Sequence, residues 1–204
     1  MRLSFLFIAL LAVATTVAYA GPITYNVTFD TSTISGSTGS LDFNFNPGPL
    51  SAQAASLQIL SFTSDGTLAG SPSLIGNVTG TLPGTLTFDN GSGFNDYFQE
   101  FTYGTTIAFS VSLFGPALAA PDGLAASGST FAFSMFSDPA GTNPALTSDI
   151  AEGFAYRVDV NLDGSTTASN FTPASTTPEP ASVLLVGMPL ALGFARRWLP
   201  IRPA

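Results

Sequence analysis

Between Ile23 and Leu162 apolar side chains recur at every second position in a series of short runs, and a period of two predicts strands. Ile23, Tyr25, Val27 and Phe29 make the first run, and Leu41, Phe43 and Phe45 the second. Leu57 with Ile59 and Leu86 with Phe88 give two shorter ones. Ile107, Phe109, Val111 and Leu113 follow, then Phe131, Phe133 and Met135, and last Phe154, Tyr156, Val158, Val160 and Leu162. Each run has an apolar side and a polar or small-residue side, the pattern of an antiparallel sheet with one wet face.

Turn-forming clusters punctuate the runs: Asn46-Pro47-Gly48-Pro49, Asp65-Gly66, Pro83-Gly84, Asn90-Gly91, Pro121-Asp122-Gly123, Pro139-Ala140-Gly141 and Asp163-Gly164. No helix-period segment of useful length interrupts them, so the spacing predicts about eight to ten strands. The expected fold class is all-β, an antiparallel β-sandwich of jelly-roll-like form in which two apolar faces cover each other. One stretch, Phe94 to Gly104, fits neither period. Its aromatics Phe94, Tyr97, Phe98, Phe101 and Tyr103 are unevenly spaced, as in a bulged strand or a short helical turn over a sheet edge.

Composition narrows the chemistry. The chain has no cysteine, no histidine and no lysine, and between residues 21 and 177 Arg157 is the only basic side chain against twelve carboxylates. Without His or Cys the usual zinc ligands, the Ser-His and Cys-His nucleophile pairs and the commonest general base are missing, so no enzyme is expected. So acidic a surface repels nucleic acid and anionic lipid, and leaves cations and uncharged polymers as partners. With no disulfide, the core alone must stabilise the domain.

The two ends are different in kind. Arg2, the apolar stretch Leu3 to Val13 and the small-x-small triplet Ala18-Tyr19-Ala20 form a signal peptide over residues 1–20, cut after Ala20. The β-sandwich domain is expected over 21–165, and a Ser/Thr/Pro-rich linker over 166–176. Residues 177–204 bring Pro178-Glu179-Pro180, the uncharged span Ala181 to Ala195, and then Arg196 and Arg197. Fifteen uncharged residues make a short hydrophobic helix, since a bilayer asks for about twenty. The arginines are placed as a transmembrane stop on the cytoplasmic side.

Triplet, span and arginines, in that order at the C-terminus of a chain with a leader, resemble the PEP-CTERM sorting signal of exopolysaccharide-producing Gram-negative bacteria. Three segments of the body, Phe43 to Gly48, Phe94 to Gln99 and Asp159 to Gly164, are similar to small exported PEP-CTERM proteins of uncharacterised function. The resemblance implies processing by signal peptidase and then by an exosortase at the PEP motif. It also implies transient anchoring in the inner membrane by the C-terminal helix, and delivery to the cell surface or extracellular matrix. Exopolysaccharide is the implied partner, and the implied role is structural or adhesive.

Four sets of residues in the body are candidates for chemistry. Asp159, Asn161, Asp163 and Gly164 follow the D-x-N-x-D-G spacing of a calcium loop, though Asn170 stands where the twelfth ligand is normally a carboxylate. The competing reading puts Asp159 and Asn161 on the wet side of a strand and Asp163-Gly164 in a hairpin turn. Calcium is the one cofactor the sequence brings up. Asp96 and Glu100 are carboxylates among aromatics, as in glycan hydrolases, and Tyr97 or Tyr103, if exposed, would suit a carbohydrate-binding module. Arg157 is expected to balance Asp159.

Overall fold

The computed structural model describes residues 21–172 and 175–179. The expected signal cleavage site at Ala18 and Ala20, the last residue of the sorting triplet, Pro180, and the stop residues Arg196 and Arg197 lie outside the described residues.

Twelve strands appear among the described residues. They are β1 (Ile23–Asp30), β2 (Thr38–Pro47), β3 (Ser56–Ser64), β4 (Thr67–Ile75), β5 (Val78–Thr79) and β6 (Leu86–Asp89), then β7 (Asp96–Thr102), β8 (Thr106–Phe114), β9 (Ser129–Phe136), β10 (Phe154–Val160), β11 (Thr166–Asn170) and β12 (Ser175–Glu179). A four-residue helix, α1 (Pro116–Ala119), and one 3-10 turn at Ser32–Ile34 are the helical pieces. The strands form two six-stranded antiparallel sheets, β12-β1-β8-β3-β6-β5 and β11-β10-β9-β2-β7-β4. An all-β sandwich is therefore what the alternation builds.

The core is where the two apolar faces meet. Phe43 of β2, in the second sheet, sits 5.3 Å from Phe109 of β8, in the first, edge-on with ring planes at 64°, and 4.7 Å from its own-sheet neighbour Phe133 of β9. Phe62, Tyr97, Phe29 and Phe109 extend the cluster through further edge-on and tilted contacts. Fully burying one such ring contributes about 1.5–3 kcal/mol. Edge-on pairs add about 0.5–1.5 kcal/mol each. With no cysteine in the chain, this cluster supplies the cross-sheet support that a disulfide would otherwise give.

Three elements differ from expectation. The aromatic stretch forms β7, an interior strand between β2 and β4, with Tyr97, Gln99 and Phe101 all inward and buried. Its period is two after all, but the middle inward position is an amide. Tyr97 Oη donates to Gln99 Oε1 (3.1 Å) and accepts from Leu82 N, while Gln99 Nε2 donates to the carbonyls of Ala69 and Glu100. Ala69 lies where β4 bulges away from β7, between Ala69 and Ser73, and the amide supplies a donor to that strand.

The expected linker is the second difference. Thr166–Asn170 is β11, paired along its whole length with β10, and Ser175–Glu179 is β12, paired with β1. The chain beyond residue 165 therefore continues the sandwich rather than leaving it. Threonine's branched Cβ suits an extended backbone, and an edge strand needs little apolar surface. Third, β10 bulges between Phe154 and Tyr156. Ala155 and Tyr156 are both buried, Phe154 turns to the outer side, and Leu162, past the strand end, is 51 % exposed.

Candidate binding face

The outer side of the second sheet follows from the inner one. Because Leu41, Phe43 and Phe45 point into the core, Asp42, Asn44 and Asn46 of β2 form an outward row. Register places Asn44 beside Asp96 of β7 on one side and Ala132 of β9 on the other, with Asp42 between Phe98 and Ser134. Asp42 and Asp96 are thus diagonal neighbours on one face, close enough for their side chains to meet.

Asn44 Nδ2 donates to Asp42 Oδ1 at 2.6 Å. Asp42 and Asp96 interact carboxyl to carboxyl, and a hydrogen bond between two such groups requires that one of them carry a proton. Burial first, then the bond to Asp96, then that neighbour's charge push the Asp42 carboxyl up to about 9, against a smaller downward pull from Asn44. Burial also raises Asp96, and the bond from Asp42 opposes it. Two carboxyls so placed are held above the usual carboxylate range, both by burial and Asp42 by its neighbour as well. Two buried acceptors, Asn44 Oδ1 and Asp96 Oδ1, have no hydrogen-bond donor, and Asp96 as a whole is only 8 % exposed.

Beside this cluster lies an open cleft of about 260 Å³ lined by Asn44, Asn46, Phe94, Thr130, Ala132 and Phe154. Phe94 is 50 % exposed and stands on the loop entering β7. Fully buried Asn95 fixes that loop: its amide donates to Phe45 O and Ser92 O, its Oδ1 accepts from Asn77 N, and its backbone N–H donates to Asn46 Oδ1 at 2.6 Å. The β10 bulge supplies Phe154 from the opposite wall. Two aromatic rings and two amides, with no charged side chain in the lining, suit an uncharged ligand with both C–H faces and hydroxyls.

Of the residues singled out by sequence, Asp96 belongs to this cluster and the others fall elsewhere. Asp159, Asn161 and Asp163 belong to the β10–β11 hairpin, closed by Asn161 N to Ser165 O and Gly164 N to Asn161 O, with Gly164 at φ +81°. A three-residue loop of this kind favours glycine at that position. Each of the three side chains is engaged locally. Asp163 accepts from Ser165 N and Oγ, which hold its carboxyl below the usual range. Asn161 Nδ2 donates to Ser165 Oγ and Thr167 Oγ1. Asp159 accepts from Thr130 Oγ1 at 2.8 Å and pairs with Arg157 Nε at 3.1 Å. Arg157 also lies over the Phe171 ring, 6.0 Å from its centroid.

Asp96 and Glu100 share a face of β7 but sit four residues apart, about 13 Å along the strand. Tyr97 and Tyr103 are buried rather than exposed. Tyr103 Oη packs between the carbonyls of Ser40 and Phe136, and burial raises its hydroxyl. They cannot bind a glycan; the exposed ring of that stretch is Phe94. Pro178 and Glu179 end β12, opposite Tyr25 and Thr24 of β1. Among the described residues, no three His, Cys, Asp or Glu side chains gather as a metal-holding group, and no helix is long and apolar enough to cross a membrane.

Asp42, Asn44, Asn46 and Phe154 were not singled out by sequence as site residues. The alternation Asp42-Phe43-Asn44-Phe45-Asn46 carried the signal, because three polar side chains at a period of two must share a face. In class the molecule is an all-β, two-sheet sandwich with a polar–aromatic outer face. Compared with family models, with curated proteins and with solved structures, the chain matches none.

Proposed function

We propose that this is an exported cell-surface or matrix protein with a structural, adhesive role, and that it adheres through the outer face of the second sheet to uncharged polysaccharide. The observation that carries the reading is the Phe94–Phe154 cleft with Asn44 and Asn46 in its floor. Rings stack on sugar C–H faces and amides pair with hydroxyls, while an acidic surface disfavours polyanions. The strand order β1-β8-β3-β6 facing β2-β7-β4 supports the jelly-roll-like form, an architecture that includes lectin domains; that is an argument from fold alone.

Export by the leader, sorting at Pro178-Glu179-Pro180 and removal of the tail by an exosortase, after transient anchoring in the inner membrane, complete the proposal. No turnover is part of it. A glycosidase holds its two carboxyls about 5–9.5 Å apart. Asp96 and Glu100 are spread too far along the strand, and Asp42 and Asp96, diagonal neighbours whose carboxyls meet, leave no room for substrate between them.

The test is affinity electrophoresis of the folded protein through gels containing neutral glucans or mannans. Retardation by at least one polymer is expected, with Phe94→Ala and Phe154→Ala each weakening it about tenfold, roughly 1.4 kcal/mol. Unretarded migration in every neutral polymer, or equal retardation of the variants, overturns it.

A further inference from the structure

The cluster beside the cleft has a chemistry the adhesive reading does not use. The Asp42 and Asp96 carboxylates and the Asn44 amide gather on the outer face of the second sheet, with Asn44 Nδ2 donating to Asp42 Oδ1. Two side-chain oxygens of the group, Asn44 Oδ1 and Asp96 Oδ1, are buried without a hydrogen-bond donor. Buried acceptors ordinarily find a partner, and one left over asks what fills its place. No cationic side chain does so: Arg157, the one basic residue among the described residues, is two strands away and engaged with Asp159 and the Phe171 ring.

We propose that Asp42, Asp96 and Asn44 form a binding site for a hard divalent cation, calcium in particular. Every side-chain donor there is oxygen, which selects against soft metals. Three donors on a sheet face leave the remaining positions to water and backbone, an irregular arrangement that calcium tolerates better than magnesium does. The ion lies between the two carboxylates, and Asn44, whose Nδ2 faces Asp42 without it, turns its Oδ1 toward the ion. The site is separate from the β10–β11 hairpin, whose side chains are satisfied within the turn.

Thermal melts of the full-length chain in mild detergent at pH 8, in CaCl2 and in EDTA, test the site. The wild type and Asp159→Asn are expected to melt at least about 3 °C higher in CaCl2. Asp96→Asn and Asp42→Asn are expected to show no such rise. Both should fold, because Asp42→Asn turns an amide donor toward Asp96, and Asp96→Asn leaves one carboxyl and no like-charge pair. Calorimetric titration of the wild type with CaCl2 is a second measurement, independent of how any variant folds, and one ion per chain is expected. Superimposable wild-type melts, a titration without binding, or a rise that survives Asp96→Asn but is lost in Asp159→Asn each overturns the proposal. None of these outcomes bears on the retardation of Phe94→Ala in neutral polymer gels.

Discussion

Phe43 is the residue on which both layers converge, with four ring neighbours, Phe62, Tyr97, Phe109 and Phe133, at centroid distances of 4.7 to 6.5 Å. Truncating it leaves a void where the rings of two sheets met, and such a void collapses poorly. Phe43→Ala is expected to destabilise the domain by about 3–5 kcal/mol in urea unfolding. A cost below about 1 kcal/mol would mean that the cluster is not the main support. At this scale the sequence was only half legible. Alternation identified Phe43 as inward, but scoring the aromatic stretch by its rings alone hid Gln99, whose buried amide completes the period in β7. A buried polar residue becomes readable only once its partners are known. Gln99's partners are Tyr97 and the bulged neighbour strand, thirty residues away in sequence. Asp96 was named from the sequence, but its partner Asp42 was hidden for the same reason, since strand register, not spacing, makes them neighbours.

Among the elements, the connections between sheets are the informative ones. Asp65-Gly66 carries the chain from β3 in one sheet to β4 in the other, and Gly104-Thr105 carries it back from β7 to β8. Asp65 ties the two crossings together: its carboxylate accepts from Thr105 N and Oγ1 and from Thr106 N at 2.7–2.9 Å. The Thr105 hydroxyl first, then the two backbone N–H groups, hold its pKa down to about 2. An unfolded aspartate titrates near 3.9, so this tie is fully present above about pH 4 and is lost as pH falls toward 2. Asp65→Asn is therefore expected to lower the melting temperature at pH 7 and to bring variant and wild type together near pH 2, as followed by circular dichroism. A gap that stays constant from pH 7 to 2 would show that charge is not what the tie uses. The turn signal was plain in sequence; that it crosses sheets was not. β4 was missed altogether, because Thr67–Ile75 is an exposed edge with a bulge and almost no alternation. β11 passed for a linker because its polar side chains carry no apolar period.

For the whole molecule, the proposed sorting motif begins inside the fold, since Pro178 and Glu179 are the last residues of β12. Replacing Pro178-Glu179-Pro180 with alanines is expected to leave an unprocessed form in the membrane fraction, detected by immunoblot against the domain. Processing and release at the wild-type level would refute sorting by this motif. The pairing of β1 with β12 gives this arrangement a mechanical character. Thr24 stands opposite Glu179 and Thr28 opposite Ser175, so the first residues of the domain and the last lie side by side at one end of an antiparallel ladder. A pull between the two ends does not shear that ladder. It opens the ladder like a zipper, loading one pair at a time, starting where Pro178 can offer no N–H. The strand that joins the domain to its tail is thus the first to yield under tension, and the Phe43 cluster behind it takes no load until it has gone.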